Sequence, residues 1–236
     1  MLEELLQSGF EAFSLVPDPQ ALGRYRIYYE HLEEMNRVMN LTAISGEEDV
    51  ARLHFLDCAA LLGLADLAGK KVIDVGTGAG FPGMVLKIVE PSLSLTLLDS
   101  LNKRIDWLRE IAPELGIGEL TAIHGRAEEY GQMPEYREQF DLVTSRAVAD
   151  LRVLCELCLP FVRPGGLFLA MKGPNCQEEK DAANRCITTL GGQLRKDAVY
   201  QIPGTEITHR VVVIEKKSPT PSRWPRRFSK IKKFPL

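Results

Sequence analysis

The sequence predicts an α/β fold: a doubly wound, mostly parallel sheet of seven strands, preceded by a helical N-terminal extension. From Lys70 onward, short β-rich runs alternate with helix-sized segments, a pattern typical of parallel strands joined by crossover helices. Between the last two runs, Gln201–Glu206 leaves no room for a crossover helix, so an antiparallel hairpin should end the sheet. The first seventy residues instead place apolar side chains at helical spacing.

The N-terminal extension contains two predicted helical stretches. After the breaker Pro17-Asp18-Pro19, apolar side chains recur every three or four residues as far as Met39. A second stretch begins near Glu47 and continues to Ala60 with similar spacing. The longest apolar runs of the chain, such as Leu167–Met171, are strand-sized and far shorter than the roughly 20 residues of a membrane-spanning helix.

Seven runs rich in aliphatic and β-branched residues are the predicted strands. They are Val72–Val75, Leu95–Leu98, Leu120–Ile123, Leu142–Thr144, Leu167–Met171, Leu194–Tyr200 and Val211–Ile214. In a doubly wound sheet, the ligand site lies at the carboxyl ends of the central strands. Polar residues and glycines that directly follow these runs are therefore the candidates for a functional site.

The charge of the chain changes sign near its C-terminus. Residues 1–215 hold 21 Lys and Arg against 32 Asp and Glu, whereas the segment from Lys216 onward holds eight bases and no acid. Ser218-Pro219-Thr220-Pro221 is typical of a joint between a body and an arm. We therefore divide the chain into a helical extension packed on the main domain (1–69), the sheet domain (70–217) and a basic arm (218–236). Such an arm suits a polyanion, and a solvated tail that only aids solubility is the alternative.

The cysteine and histidine patterns indicate neither a disulfide framework nor a metal site. The five cysteines are odd in number and scattered, which fits a reducing cytoplasm. Cys155 and Cys158 share an apolar face in a predicted helical run over Leu151–Val162, so core packing explains their spacing. The four histidines form no metal-ligand spacing. Acids stand near the N-terminus where a signal peptide would carry bases, so export is not expected.

The run from Asp74 to Gly83 joins the first strand to a helix through a glycine loop. Gly76, Gly78 and Gly80 let the backbone turn sharply and approach a ligand closely. Gly78-x-Gly80-x-x-Gly83 matches the dinucleotide fingerprint, but a dinucleotide fold places its first glycine directly after the strand. Here Gly76 holds that place, and Phe81 stands where the third glycine of that frame belongs. This placement, with Asp74 suited to the ammonium of a methionine moiety, favours S-adenosylmethionine, and a nicotinamide dinucleotide is the alternative.

Two further segments suit an adenosine. Asp99 ends the second strand, where a carboxylate accepts hydrogen bonds from both ribose hydroxyls. Capping of the next helix is the alternative explanation for Asp99, which in any case does not separate the two cofactors. After the third strand, the backbone groups of Ala127 and Glu128 are well placed to meet an adenine edge.

The fourth strand ends in Ser145-Arg146, at the place that faces a transferred methyl group in this architecture. An Asn/Asp-Pro-Pro-aromatic sequence, which grips an exocyclic amine in many amino-methyltransferases, is missing there. The expected acceptor is then an atom with a ready lone pair. Arg146 has the chemistry to bind a phosphate, a purine face or the cofactor carboxylate, and a structural ion pair is the alternative.

A set of motifs, taken together, resembles one bacterial family. They are Asn36-Arg37-x-x-Asn40-Leu41-Thr42-Ala43-Ile44, His54-x-x-Asp57, the Asp74–Gly83 loop, Leu97-Leu98-Asp99-Ser100-Leu101-x-Lys103-Arg104, Ser145-Arg146-Ala147-Val148-Ala149 and Ala170-x-Lys172-Gly173. Over roughly residues 30 to 236, the arm included, the chain resembles the 16S rRNA guanine-N7 methyltransferases, also called glucose-inhibited division protein B. Leu53, Ser229 and Ile231 depart from the family pattern.

The resemblance implies S-adenosylmethionine-dependent methyl transfer to N7 of a guanosine in the 530 loop of small-subunit (16S) ribosomal RNA. It also implies cofactor contacts at Gly76, Phe81, Ala127, Glu128 and Arg146. The partner would be the rRNA or the small ribosomal subunit and not a membrane, and the protein would be a cytoplasmic monomer. Guanine N7 has an in-plane lone pair and no proton to lose, so the reaction needs alignment and no general base.

Basic side chains near the strand ends and on the arm are the predicted RNA contacts. They are Lys103, Arg104, Arg126, Lys172, Arg226, Arg227, Lys232 and Lys233. Solvated surface charges are the alternative for each of them. At the level of function, a nicotinamide-dependent oxidoreductase and a non-catalytic RNA-binding assembly factor stay open beside the methyltransferase.

Overall fold

The computed structural model of the chain describes residues 1–118, 120–146 and 149–236. The strands are β1 (Lys71–Val75), β2 (Ser94–Asp99), β3 (Thr121–His124), β4 (Phe140–Arg146), β5 (Val162–Lys172), β6 (Gly192–Gln201) and β7 (Thr208–Lys216). Each predicted strand overlaps one of them. Ala147 and Val148 of the motif that follows β4 lie outside the described residues.

Helices precede the sheet and alternate with its strands. They are α1 (Leu2–Ala12), α2 (Pro19–Met39), α3 (Glu47–Val50), α4 (Asp57–Ala59), α5 (Gly83–Val89), α6 (Asn102–Ile111), α7 (Ala127–Tyr130), α8 (Leu151–Cys158), α9 (Gln177–Thr189) and α10 (Phe228–Lys233). A π-helical turn, Ala51–Leu56, joins α3 to α4, and a 3₁₀ turn, Ala60–Gly63, follows α4. Among the described residues, no helix combines the length and the apolar character needed to cross a bilayer.

The described strands form a seven-stranded sheet in the order β3-β2-β1-β4-β5-β7-β6. Strands β1 to β5 are parallel, and β7 pairs antiparallel with both β5 and β6. The predicted fold class, with its terminal hairpin, is therefore confirmed. The strand order reverses between β1 and β4, and a crevice forms at the carboxyl ends of strands where the order reverses.

The N-terminal helices cover one face of the sheet. Asp18 caps α2 by accepting a hydrogen bond from the Gln20 backbone N–H, and Pro19 takes the first helical position, where no donor is needed. Tyr25 and Tyr28 of α2 are fully buried. The Tyr25 hydroxyl donates to the Val85 carbonyl of α5, and the Tyr28 hydroxyl donates to the Ala79 carbonyl of the glycine loop. The extension is thus bonded directly to the loop that follows β1.

The C-terminal arm packs on the opposite face. Successive strand residues point to opposite sides of a sheet, and Val72 belongs to the core beneath the N-terminal helices, whereas Ile73 belongs to the core that contains α8 and α9. Trp224 and Ile231 of the arm are buried in this second core. The arm is therefore part of the packed body. A solvated tail would not bury its side chains in this way.

Buried ionic contacts accompany the docking of the arm. Glu156 of α8 is fully buried and accepts hydrogen bonds from the Arg226 backbone N–H, Nε and Nη2, at 2.9, 2.8 and 2.6 Å. Lys216 is also fully buried, and its Nζ donates to the Leu159 carbonyl at 2.7 Å and pairs with Glu138 at 3.2 Å. Two of the eight C-terminal bases thus hold the arm in place.

Helix α8 is shorter than the predicted helical run over Leu151–Val162. The helix ends at Cys158, and β5 begins at Val162. Both elements bury apolar residues in the same core, so hydrophobicity continues across the boundary and does not mark it. Cys155 and Cys158 are fully buried in α8.

Candidate active site

The glycine loop after β1 has a backbone that favours glycine. Gly78 and Gly80 have φ angles of 59° and 93°, in the left-handed region. A Cβ atom on Gly80 would overlap the Tyr28 hydroxyl, whereas the corresponding position on Gly78 is open space. Gly80 therefore lets α2 approach the loop closely from beneath, and Gly78 leaves room for a ligand above it.

Asp74 lies beneath this loop and is fully buried. Its Oδ2 accepts hydrogen bonds from the Thr77 hydroxyl at 2.7 Å and the Gly83 backbone N–H at 3.0 Å, and its Oδ1 accepts one from the Thr144 hydroxyl at 2.9 Å. Burial raises the pKa of Asp74 to about 6, and the hydrogen bonds oppose part of that rise. The carboxyl shapes the loop from within, so its position differs from the expected direct contact with an ammonium group.

Asp99 has a different position, at the end of β2 and on the wall of the crevice. Its Oδ2 accepts a hydrogen bond from the Gly78 backbone N–H at 2.9 Å, and its Oδ1 accepts one from the Leu101 backbone N–H at 2.9 Å. Arg104 Nη1 lies 3.5 Å from Oδ2. Asp99 therefore both braces the loop and begins the turn into α6, while its carboxylate still lines the cavity.

The crevice contains a cavity of about 740 Å³, within the usual range of small-molecule sites. The glycine-loop side of the cavity is lined by Gly76, Thr77, Gly78, Ala79, Phe81, Asp99, Ser100 and Arg104. The Arg146 side is lined by Leu41, Thr42, Ile44, Leu53, His54, Asp57, Arg146, Met171, Lys172, Gly173, Ile207 and His209. Strand order separates the two sides, since β1 and β2 end at the first and β4, β5 and β7 meet at the second.

Arg146 is held firmly on its side of the cavity. Its Nη1 donates to the Leu53 carbonyl at 3.0 Å and lies 3.3 Å from Asp57 Oδ2. Its Nη2 donates to His54 Nδ1 at 2.7 Å, and its guanidinium carbon lies 4.9 Å from the centre of the Phe81 ring. The charge is therefore fixed at the cavity wall by contacts on several sides.

His54 is a neutral member of this arrangement. Burial, together with the nearby charge of Arg146, lowers the pKa of His54 to about 3. Because Nδ1 accepts from Arg146, the ring proton lies on Nε2, which donates to the Thr42 hydroxyl at 2.8 Å. The ring also stacks on Phe81 with 4.4 Å between ring centres.

The structure brings five of the nine predicted cofactor residues together, with four exceptions. Gly76, Gly78, Phe81, Asp99 and Arg146 line the cavity. Asp74 and Gly80 lie beneath the loop. Ala127 and Glu128 begin α7, outside the lining of this cavity.

The predicted RNA residues fall into three environments. Arg104 and Lys172 line the cavity, and Lys172 Nζ is paired with Glu179 at 2.7 Å. Exposed positions are taken by Lys103, Arg126, Arg227, Lys232 and Lys233. Arg226 is bonded to Glu156, so the expectation that it is available to RNA is corrected: a buried acid on α8 takes its charge.

Sequence reasoning missed the polar side chains that surround Arg146. Thr42, His54, Asp57 and His209 line the cavity, and Tyr200 bonds to Asp57 from behind. The motif His54-x-x-Asp57 contained a signal, because its two polar residues interrupt the otherwise apolar run from Leu53 to Ala60. The signal for Tyr200 and His209 was weaker, because it consisted only of two polar residues on either side of the short connection between the last two strands.

Comparison with known proteins identifies the family. The family described as rRNA small subunit methyltransferase G matches residues 22–203. The chain belongs to this family. It is 42% identical over 234 residues to the ribosomal RNA small subunit methyltransferase G of Clostridium tetani, covering 99% of this chain and 98% of the relative. It is 44% identical over 236 residues to the enzyme of that name from Alkaliphilus oremlandii, covering 100% and 99%.

Solved structures show the same fold at lower identity. TrmN from Thermus thermophilus aligns with a TM-score of 0.55 and 23% identity, covering 77% of this chain and 53% of that one. A putative methyltransferase from Bacillus halodurans aligns with a TM-score of 0.53 and 16% identity, covering 69% of this chain and 99% of that one. Members of the rRNA small subunit methyltransferase G family are enzymes, and their methyl donor is S-adenosylmethionine. The predicted enzyme class and cofactor are therefore confirmed, and neither alternative function gains support.

The residues on the glycine-loop side fit this cofactor. The open space above Gly78 admits a ligand close to the backbone, and the Asp99 carboxylate on the cavity wall can accept hydrogen bonds from the ribose hydroxyls. Asp99 is only 4% exposed, so an added hydrogen bond to it would be made largely out of water. The described residues offer no cluster of three or more metal-binding side chains.

Proposed function

We propose that the chain transfers the methyl group of S-adenosylmethionine to N7 of a guanosine in the 530 loop of small-subunit rRNA. The observation that best supports N7 is that three ionisable side chains beside Arg146, namely His54, Asp57 and Lys172, are already engaged. Both ring nitrogens of His54 are engaged, Asp57 accepts hydrogen bonds from three side chains, and Lys172 is paired with Glu179. None of these three is a free base, and N7, with its exposed lone pair, needs none.

The proposed mechanism rests on alignment. The cofactor supplies a methyl group activated on a sulfonium. Backbone groups of Gly76 and Gly78, with the Asp99 carboxylate, would hold the donor on the glycine-loop side. Arg146, restrained over Phe81, would bind the acceptor base or its phosphate on the other side. Holding both reactants in one cavity turns a bimolecular step into an effectively unimolecular one.

We further propose that basic side chains around the cavity and on the arm bind the RNA backbone. Their set is Lys103, Arg104, Arg126, Lys172, Arg227, Lys232 and Lys233, without Arg226. Arg126 of the body and Arg227 of the arm line one groove together with Phe228. That groove offers cations and an aromatic ring to phosphates and unpaired bases, although Glu128 and Glu129 also lie on its wall.

The same proposal sets the cellular partner. The substrate would be the rRNA or the small subunit that contains it, and such a substrate would place the enzyme in the cytoplasm. A monomer and the division at residues 69/70 and 217/218 stay predictions, which light scattering and limited proteolysis can test. Ala127 and Glu128 stay proposed contacts of the adenine. Because they lie outside the cavity lining, such contacts require either that α7 moves toward the cavity or that the adenine extends beyond it.

Mapping the methyl group tests the proposal. Small subunits that lack the modification are incubated with the enzyme and radiolabelled S-adenosylmethionine, and the labelled nucleotide is located by borohydride reduction and aniline cleavage, which break the chain at N7-methylguanosine. We expect one cleavage site, in the 530 loop. The matched control is a subunit reconstituted with 7-deazaguanosine at that position, where N7 is replaced by carbon and no label should enter. Label in the 7-deaza subunit, or at another atom, contradicts the proposal.

A further inference from the structure

Asp57 lies at the centre of a polar network that joins three parts of the chain. Its Oδ2 accepts a hydrogen bond from Arg146 Nη1 at 3.3 Å. Its Oδ1 accepts hydrogen bonds from the Tyr200 hydroxyl at 2.6 Å and from His209 Nδ1 at 2.8 Å. Asp57 is 2% exposed, and a buried carboxylate needs such donors to remain charged. The network therefore connects the helical extension, the end of β4 and the β6–β7 hairpin.

The hairpin presents its two donors together because of strand register. Tyr200 and His209 are directly paired across β6 and β7, so their side chains leave the hairpin on the same face. Arg52, on the π-helical turn that precedes Asp57, donates to the Pro203 and Gly204 carbonyls in the hairpin turn. The segment that carries Asp57 is thus attached to the hairpin at both its start and its end.

Arg146 receives its only described ionic partner from this network. The other groups around its guanidinium are the Leu53 carbonyl, neutral His54 and the Phe81 ring, and the carboxylate paired with it is Asp57. A carboxylate fixed by two further donors holds a guanidinium in one orientation better than a mobile carboxylate would. The position of Arg146 in the cavity therefore depends on residues that lie far from it along the chain.

We propose that Asp57, held by Tyr200 and His209, is a positioning residue for methyl transfer, which fixes the guanidinium of Arg146 at the cavity wall. This inference rests on the proposed function only for the choice of RNA substrate.

The same geometry has another chemical possibility, in which His209 acts as a general base oriented by Asp57. The two differ in pH dependence. The groups that face His209 are Asp57, Arg146 and Tyr200, and its hydrogen bond to Asp57 raises the pKa of His209. His209 donates from Nδ1 to Asp57 whether or not the ring is protonated, so positioning does not titrate, whereas a base must.

The first test reads the position of Arg146 without any reaction. Arginine side chains are labelled with ¹⁵N, and the signal of Arg146 is assigned by its loss in Arg146→Lys. In the wild-type chain we expect separate Nη proton signals, because hydrogen bonds restrain rotation of the guanidinium. In Asp57→Asn the signals should merge through rotation, while Asp141→Asn, which removes a carboxylate bonded to Arg163, should leave them separate. Separate signals that persist in Asp57→Asn overturn the proposal.

The second test is a double-mutant cycle on the single-turnover rate of methyl transfer. Misplacing a reacting group by about 1 Å costs up to about 100-fold, and we expect Asp57→Asn to slow transfer by about 10- to 100-fold. In the Arg146→Lys background the same change should slow transfer by less than about twofold, because the group that it positions is gone. Equal effects in both backgrounds overturn the proposal, since they mean that Asp57 acts independently of Arg146.

Milder variants keep the test informative if Asp57→Asn unfolds. Tyr200→Phe removes one hydroxyl and should slow transfer by about fivefold, the effect of one hydrogen bond, with Tyr136→Phe on the other face of the sheet as its control. His209→Asn retains a donor at the place of Nδ1 and should keep a flat pH profile, with His31→Asn, which loses the surface contact of Nε2 to Glu114, as its control. A wild-type rate that titrates and loses this dependence in His209→Asn supports the general base and overturns positioning. Absence of N7 transfer by the wild-type chain would contradict the proposed function alone, because the guanidinium signals still decide the inference.

Discussion

The helical extension (1–69) and the C-terminal arm (218–236) both lie outside the sheet, on opposite faces, yet they contribute different things. The extension supplies Leu41, Thr42, Leu53, His54 and Asp57 to the cavity wall, and its Tyr28 bonds to the glycine loop. The arm supplies no described residue to that cavity; it buries Trp224 and Ile231 against α8 and the sheet. The extension, for which no site residue was predicted, supplies part of the site, whereas the arm, which has the strongest charge pattern, contributes mainly to the core.

The physical reason lies in how bases and aromatic residues combine. Cations interleaved with aromatic rings suit RNA, but the same residues also stack on each other. The Arg226 guanidinium carbon lies 4.6 Å from the centre of the Trp224 ring while its nitrogens bond Glu156. A single buried acid distant in sequence thus decides the role of Arg226. Composition of the arm alone could not reveal it.

The largest expected effect is on the free energy of unfolding, and it comes from a contact of the arm that does not touch the cofactor site. Glu156→Gln leaves the Arg226 guanidinium without its buried counter-charge, and we expect a loss of about 3 kcal/mol in the free energy of unfolding. The affinity of the folded chain for the cofactor should change by less than about twofold. This limit corresponds to the roughly 0.5 kcal/mol by which substitutions outside a site usually vary. Urea denaturation and calorimetry measure the two quantities.

The control for that variant is Asp106→Asn, which breaks the exposed pair with Arg109 and should cost less than about 1 kcal/mol. Equal losses in the two variants would mean that the buried pair of Glu156 and Arg226 is worth no more than a surface contact. The comparison between the regions would then fail.

A pH effect on stability should come from the glycine loop. The pKa of Asp74 is about 6 in the folded chain and 3.8 in the reference state, so the folded chain binds more protons between these values. The contribution of Asp74 to stability should therefore fall by about 3 kcal/mol as pH rises from about 4 to about 6. In Asp74→Asn this part of the pH dependence should vanish. Denaturation curves of both chains across the window check it, and parallel curves would contradict the assigned pKa.

A smaller effect should link the extension to the cofactor. Tyr28→Phe removes the hydroxyl that bonds to the Ala79 carbonyl but keeps the ring stacked on Phe81. We expect S-adenosylmethionine to bind about fivefold more weakly, the loss of one hydrogen bond that holds the loop. Tyr136→Phe provides the control on the face that carries the arm. Unchanged affinity in Tyr28→Phe would show that the extension does not support cofactor binding and contributes only to the Arg146 side of the cavity.

The smallest effect concerns the bases that the arm leaves exposed. Replacing Arg227, Lys232 and Lys233 by Ala should lower the slope of log RNA affinity against log salt by at most about 2 in magnitude, and should not change the free energy of unfolding by more than about 0.5 kcal/mol. Binding titrations at several salt concentrations measure the slope. An unchanged slope would mean that these three bases do not contact the RNA backbone.

The sequence predicted the sheet well because β-rich runs and short connections are local signals. It also predicted that Gly76, Gly78, Phe81, Asp99 and Arg146 end or follow strands of the sheet, and topology brings these five residues together in the lining of one cavity. It could not give the role of Asp74, because hydrogen bonds from Thr77, Gly83 and Thr144 depend on the folded loop. Nor could it join Asp57 to His209, since 152 residues separate them and only the hairpin register makes them neighbours.

The pH dependence of single-turnover methyl transfer tests the central claim most directly, namely that this cavity aligns a lone-pair acceptor and uses no general base. With saturating cofactor and small subunits, we expect a rate constant that is nearly constant between about pH 6 and pH 9, because N7 loses no proton. A rate that rises about tenfold per pH unit in that range would contradict the account, since it would require a base and a protonated acceptor.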